Sequence, residues 1–491
     1  MSKRPTVTFL TDELRDRVIS EAREILFKTG IAILDDQLLD LLSDHGASVD
    51  KNTQKACIPP DLIDKTLKTV PSDFSLFDLQ GRCTHHFNGR PDAQESYFTP
   101  ASAALNILDD STGAAREPKT ADYIRYVKVV DGLKYIASQS TAFIPSDIDH
   151  RAADSYRLYL SLLYSEKPVV TGTFSEDGFH VMMEMQIAAR STEKNLKEKP
   201  LTVFSCCPTT PLKWAGRSCR DIVNCGKYGI PIELISMPLT GFTGPITLVG
   251  SLVEHTAENL CGIVLCQLSQ PGAPLLYGGA PASFDMRYGT TALGAIETMM
   301  MDCAYNEIGK SMGIPTQAYI ALSDSKTLDA QAGIETSMGA VMAVLSGINN
   351  ISGPGMLEFV NCFSLEKLVV DNQICGMVQR MARGIEPKED FPALPLFREL
   401  VTQQNLLSSA HTRRYMKEEH FLPGKTIDRT TRTRWKNDGQ SSIKSRAQAE
   451  IEQLLKDYQP PSIDDYTRKT LTALMEKTVK QYGMDKLPPL L

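Results

Sequence analysis

The chain has no Cys-x-x-Cys pair, and its 11 cysteines are odd in number and scattered. That argues against a disulfide framework and fits a reducing compartment, the cytoplasm. Cys206 beside Cys207, Cys219 with Cys225 and Cys261 with Cys266 all miss the loop spacing of zinc sites. No metal is therefore expected, and these thiols read as small buried hydrophobes. No apolar run approaches the roughly 18 residues that cross a bilayer. The stretch Met1 to Leu10 lacks the apolar core of a secretory leader, so no membrane partner is expected. Long Lys/Arg runs are also missing, and 52 basic against 59 acidic residues leave a formal charge of −7. Nucleic acid, which calls for a basic face, is excluded as a partner on that ground. The eight histidines form no i, i+4 pair, and neither a Gly-x-Ser-x-Gly elbow nor a Gly-x-x-x-x-Gly-Lys loop occurs. The signatures of zinc proteases, serine hydrolases and phosphate-loop enzymes are thus absent.

What is present is a 491-residue chain, 42% hydrophobic and 23% charged, the balance of a packed globule. Thr11 followed by Asp12 and Glu13 is an N-cap with acids in the first turn. Leu14, Val18, Ala22, Ile25 and Leu26 then share one helical face up to Gly30. Amphipathic pieces Gln37 to Ser43 and Pro60 to Lys68 follow, so residues 1–92 are expected to form a helical extension. From Tyr97 the texture changes to short β-branched runs alternating with longer helical patterns. Strand starts are expected near Tyr97, Tyr135, Val169, Leu201, Ile232, Ala273, Thr316 and Ile348. A spacing of about 30–45 residues is that of a strand plus a crossover helix. Eight such units over roughly 250 residues make a (β/α)8 TIM barrel, here assigned to residues 93–382. Residues 383–491 begin charged and proline-rich and end in two expected helices, Ser445–Tyr458 and Thr467–Tyr482, packed on the barrel.

In a barrel the site lies where the strands end. Those positions supply Tyr97, Phe98, Phe174, Tyr277 and Phe359, with small hydroxyls such as Thr171 and Thr173 among them. Aromatic faces of this kind hold organic cations, quaternary ammonium groups above all. Gly278 and Gly279 follow a buried strand, where paired glycines permit close approach of a ligand or of another backbone. Asp324 stands in a polar loop, Ser323–Lys326, with Gln331 just beyond it. His255, flanked by Glu254 and Glu258, reads either as a proton relay or carboxylate anchor, or as a helix residue satisfied by its acidic neighbours.

Three ordered segments carry a family resemblance. They are LLYGGAPASFDMRYG (275–289), YIALSDSKTLDAQAGIETSMGAVMAVLSGINNISGPGMLEF (319–359) and HTRRYMKEEHFLPGKTIDR (411–429). The chain resembles the trimethylamine methyltransferase superfamily over essentially its whole length. That resemblance implies a (β/α)8 barrel passing a methyl group from an amine to the cobalt of a corrinoid (cobalamin) cofactor carried by a separate corrinoid protein. The founding members carry pyrrolysine, whereas this chain is written in the twenty standard residues. The resemblance therefore implies the branch without pyrrolysine, whose members demethylate quaternary amines: glycine betaine, proline betaine, carnitine and γ-butyrobetaine. A quaternary nitrogen leaves as a neutral tertiary amine, so in-line transfer to cobalt(I) needs no general acid. For a betaine carboxylate, His255, Asn349, Gln331 or the backbone near Gly278 are candidate partners, and Gly278, Gly279 and Asp324 lie on the expected corrinoid approach. A tertiary amine or sulfonium donor, or a barrel that binds a betaine without turnover, are the alternatives. Self-association into a homo-oligomer is also expected of a barrel extended at both ends.

Overall fold

The computed structural model describes residues 5–92 and 95–490. The expected boundary at residue 93 and the first residues of the amino-terminal stretch lie outside the described residues. Eight short parallel strands alternate with eight helices. The strands are β1 (Tyr97–Thr99), β2 (Gln139–Ser140), β3 (Val169–Thr171), β4 (Thr202–Cys206), β5 (Ile232–Leu234), β6 (Leu275–Leu276), β7 (Gln317–Ala318) and β8 (Asn350–Ser352). Their helices, in the same order, are α1 (Thr120–Gly132), α2 (Ala153–Tyr164), α3 (Gly178–Arg190), α4 (Gly216–Tyr228), α5 (Leu248–Ser269), α6 (Ile296–Ser311), α7 (Ala330–Ser346) and α8 (Leu365–Ala382). All eight expected strand starts fall within four residues of an observed strand. β-branched runs such as Val169–Val170–Thr171, buried on both faces, explain why these segments were readable.

The strands pair in two parallel sheets, β6-β5-β4-β3-β2 and β7-β8-β1. Hydrogen bonds also join the two. Tyr277 N donates to Pro315 O at 2.8 Å and Gln317 N to Tyr277 O at 3.0 Å, linking β6 to β7. Ala137 N donates to Phe98 O at 2.8 Å, linking the approach to β2 with β1. Contacts also cross the inner face. Asn350 Nδ2 on β8 reaches Glu233 Oε2 on β5 at 3.1 Å, and Val170, Val203 and Leu276 from three strands form one apolar cluster.

The first 92 residues are not simply helical. Helices Asp12–Glu24, Asp36–Asp44 and Pro60–Leu67 occur where expected, but five strands are interleaved with them. Three of these have only three residues, too few for alternation to register. The other two, Asp73–Phe77 and Cys83–Asn88, form an antiparallel hairpin. Its Leu76 and Phe87 pack into the Val170, Val203 and Leu276 cluster, beneath the amino ends of the strands. His85 Nε2 lies 3.0 Å from Ser138 Oγ on the same side.

The carboxyl-terminal segment carries five helices rather than two. Ile443–Asp457 packs on α1 and α8, and Asp465–Gln481 on α2 and α3. Leu394–Gln403, Ala410–Glu419 and Arg432–Asn437 were not expected, since prolines and charges mask their periodicity. No described helix is long and apolar enough to cross a membrane. Because Ile451, on the tail helix Ile443–Asp457, is fully buried, Ile451→Ala should cost about 2–4 kcal/mol in a urea denaturation series. A change below about 0.5 kcal/mol would mean that the tail helix does not share the core.

Candidate functional site

At the carboxyl ends of the strands lies a cavity of about 410 Å³, lined by residues that follow every one of the eight. The size is that of a small-molecule pocket. Phe174, Tyr319 and Phe359 bring aromatic side chains to it, from the ends of β3, β7 and β8. Arg217, in the first turn of α4, is the one cationic side chain among the described lining residues. Ala215 caps that helix without a side-chain hydrogen bond, so its first turn retains donor capacity toward the cavity.

The loop after β3 is fastened from both sides. Asp154 Oδ2 accepts from Phe174 N at 2.5 Å and from Ser175 N at 2.8 Å, while its other oxygen meets buried Arg157 Nη2 at 3.0 Å. The Arg157 guanidinium stands 5.3 Å from the Phe174 ring, and Arg217 Nη1 donates to Phe174 O at 2.6 Å. Across the cavity Phe359 adopts a positive φ of 58°, and its ring meets Lys326 Nζ at 4.2 Å. Tyr319 OH lies 3.2 Å from Ser102 Oγ. Asp221 accepts from Thr173 Oγ1, and burial raises its carboxyl to about 6.

Below the cavity is a polar layer. Glu233 is completely buried. Ser205 Oγ donates to its Oε1 at 2.7 Å and Asn350 Nδ2 to its Oε2 at 3.1 Å, and Asn350 in turn accepts from Thr99 Oγ1 at 3.0 Å. Burial raises Glu233 to about 7 against the pull of those two hydrogen bonds, so the carboxyl holds its proton into the neutral range. Gln317, also fully buried, has neither amide atom paired.

Of the residues singled out in the sequence, Thr173, Phe174 and Phe359 line the cavity. Asp324 stands just outside it, its Oδ2 accepting from Gly294 N at 2.9 Å, next to lining residue Leu293. The others lie elsewhere. Tyr97 is at the amino end of β1, its hydroxyl accepting from His86 N at 3.0 Å and its ring 4.3 Å from His85. Phe98 points the opposite way, into the helical layer. Asn349 precedes β8 at that same far end, where Lys310 Nζ donates to its Oδ1 at 2.6 Å. Tyr277 is buried with its hydroxyl on Thr256 Oγ1 at 3.1 Å. His255 stacks on Tyr305 at 4.3 Å and meets Gly278 O at 3.0 Å, and burial lowers it to about 3, so it stays neutral as a core residue. Gly278 and Gly279 serve packing: a Cβ would stand 2.4 Å from Gln317 Oε1 at the first and 2.3 Å from His255 Nε2 at the second. Gln331 is exposed on α7, hydrogen-bonded to Glu335 at 2.9 Å.

Arg217, Tyr319 and Glu233 were missed. Glu233 did leave a signal, a lone carboxylate inside the apolar strand run Pro231–Ile235. Arg217 left none, since a basic residue early in an amphipathic helix is ordinary.

A cavity ringed by eight strand ends, aromatic on several sides and cationic at one point, marks an enzyme acting on a small organic molecule. The family described as trimethylamine methyltransferase (MTTB) matches residues 1–483, and the chain belongs to that family and is a methyltransferase. Among relatives, "Trimethylamine methyltransferase MttB" of Desulfitobacterium hafniense is 28% identical, covering 96% of this chain and 94% of that protein. The "Glycine betaine methyltransferase" of the same species is 27% identical, covering 98% of both. "Trimethylamine methyltransferase MttB" of Methanosarcina barkeri is 28% identical over 96% and 95%. Among solved structures, the monomethylamine methyltransferase of Methanosarcina barkeri shares the fold with a TM-score of 0.52 at 11% identity, covering 97% of this chain and 89% of that one.

Glu233 offers a test by pH. With its proton affinity raised by folding, it contributes stability below its ordinary value of 4.5 and loses that contribution as pH rises through about 7. Glu233→Gln, isosteric but unable to ionise, should therefore gain on the wild type by about 3 kcal/mol between about pH 4.5 and pH 8 in urea titrations. Parallel stability curves would mean that the buried carboxyl does not titrate in that window.

Proposed function

We propose that the protein demethylates a quaternary amine of the betaine class (glycine betaine, proline betaine, carnitine or γ-butyrobetaine) and passes the methyl group to the corrinoid of a separate partner protein. It does so in the cytoplasm, from a closed (β/α)8 barrel spanning about residues 93–382, with extensions 1–92 and 383–491 packed around it. The hydrogen bonds joining β6 to β7 and β1 to β2, and the Asn350 to Glu233 contact across the inner face, support closure.

The observation that carries the functional reading is the pairing of three aromatic faces with Arg217 around one cavity. Phe174, Tyr319 and Phe359 suit a trimethylammonium head, and Arg217 suits the carboxylate at the other end of a betaine. Free trimethylamine has no group for the guanidinium to hold. The carboxylate keeps its charge throughout, so Arg217 binds ground state and transition state alike and fixes orientation.

The corrinoid approach fits the opening of the cavity. Exposed apolar side chains Phe174, Met237, Phe242, Ile246, Met286 and Tyr288 stand on the loops after β3, β5 and β6, offering a broad apolar landing for a large flat ring. When docked, the reduced corrinoid supplies the electron pair that takes the methyl group. The pair of the breaking N–C bond stays on nitrogen, so no proton is required from the protein. The positive charge on nitrogen fades along the way, and a fixed anion nearby would favour the ground state. Glu233, whose proton affinity burial raises to about 7, reduces that penalty below that pH while still accepting from Ser205.

The test is to mix the protein with a reduced corrinoid and a panel of betaines and to follow corrinoid methylation by absorbance. Methylation with at least one carboxylated quaternary amine is expected, and silence across the panel from folded protein refutes the proposal. Arg217→Met should raise KM for that substrate by about 10–100-fold with kcat changed much less. An unaltered KM would remove Arg217 from the site.

A further inference from the structure

Two of the three aromatic side chains at the cavity have a protein cation against the ring, and the two cations differ in what surrounds them. Arg157, 5.3 Å from the Phe174 ring, is completely buried, and Asp154 meets its charge at 3.0 Å. Lys326 is exposed, with Nζ 4.2 Å from the centre of the Phe359 ring. That nitrogen donates to the backbone oxygen of Asp324 at 2.7 Å and forms no ion pair among the described residues. The Asp324 carboxyl is engaged by Gly294 N at 2.9 Å. Phe359 lines the cavity and Lys326 does not, so the ammonium meets the ring from outside the cavity.

The backbone holds Phe359 in this place under strain. Glu358, Phe359 and Val360 have φ of 49°, 58° and 67°, three consecutive non-glycine residues in the left-handed region, the last of them β-branched. Strain of this kind persists only where the surroundings over-determine it, and it gathers at functional sites. Here Ser323 N donates to Met356 O at 3.2 Å and Glu358 N to Ser325 O at 3.0 Å. The loop carrying Lys326 and the loop carrying Phe359 are thereby joined just before the two side chains meet.

We propose that Lys326 is a positioning residue for the methyl transfer and acts through Phe359. It keeps an unpaired positive charge behind the ring that receives the cationic end of the amine, opposing the charged ground state more than the transition state. The inference rests on the proposed demethylation of a quaternary amine. As the N–C bond breaks, its electron pair stays on nitrogen and the positive charge there falls away. A fixed anion resists that change, and a fixed cation favours it. An ammonium head within about 6 Å of the ring centre on the cavity side stands roughly 10 Å from Nζ. At an effective dielectric of about 20 that repulsion weakens binding by roughly tenfold, and solvent and salt around the exposed lysine lower this to about three- to tenfold. With about half of the charge gone in the transition state, the rate constant gains by the square root of that factor, about two- to threefold. Arg157, neutralised by Asp154, exerts no comparable effect at Phe174.

The experiment is steady-state corrinoid methylation with the betaine that the wild type uses. Lys326→Met keeps the stem of the side chain and removes its charge. KM should fall about three- to tenfold and kcat about two- to threefold, so that kcat/KM rises. Lys326→Arg should stay within about twofold of the wild type in both constants. In a Phe359→Leu background the effect of Lys326→Met on KM should shrink to less than about twofold. A purely structural role for Lys326 lowers kcat/KM, whereas relief of ground-state repulsion lowers both constants and raises their ratio. Unchanged constants, a lower kcat without a lower KM, or an undiminished effect in the Phe359→Leu background overturns the inference. In each of those cases a wild type that methylates the corrinoid leaves the proposed function standing. A folded wild type that is silent across the betaine panel removes both. Should Lys326→Met fail to fold, Lys326→Gln is read in the same way.

Discussion

The carboxyl of Glu233 meets two other strands at once, Ser205 on β4 and Asn350 on β8, and through Asn350 the hydroxyl of Thr99 on β1. Strands of two or three residues have little ladder of their own, so contacts across the inner face fix how the strand ends stand relative to one another. A buried polar network of this sort is stabilising only when its members are satisfied, and it specifies one arrangement among those the apolar residues alone would tolerate. The position of Tyr319 over this layer, and of Phe174 and Phe359 around it, depends on that registration.

Much of the architecture was legible because β-branched runs and helical intervals alternate at a regular spacing. The failures have one cause in common: a strand start marks a position in the chain without saying which end of a short strand faces the site. Tyr97 and Asn349 flank strands of three residues, yet both belong to the end opposite the cavity. Alternation sends Phe98 into the helical layer although its neighbours face inward. His255 and the paired glycines illustrate a second limit, since a polar residue or a flexible backbone satisfied by close packing looks in sequence like one reserved for a ligand. Phe174 and Phe359 reach the cavity because they lie beyond their strands, where direction no longer matters. The family match and the cavity then agree with the motif reading, while the identity of the amine rests on Arg217, which no motif announced.

Burial has opposite consequences at the two prominent buried titratable groups. His255 loses its proton and becomes a neutral packing element, and Glu233 keeps its own up to about pH 7. Both shifts come from removing water around a charge, and both reduce the charge carried by the buried group. Charge is instead concentrated at the rim, on Arg217 and Asp221, where solvent and hydrogen bonds offset part of its desolvation.

The hairpin Asp73–Phe77/Cys83–Asn88 lies under the amino ends of the strands, with Leu76 and Phe87 inserted into their inner apolar cluster. With the hairpin packed at that end, the proposed reactants would share the cavity at the carboxyl ends of the strands. In the proposed reaction an amine arriving after the corrinoid protein would find its route covered, and the demethylated amine could leave only once that protein had departed. On that proposal turnover would follow a fixed sequence with the amine first in and last out, and excess partner protein would slow the cycle by covering the cavity before the amine has entered.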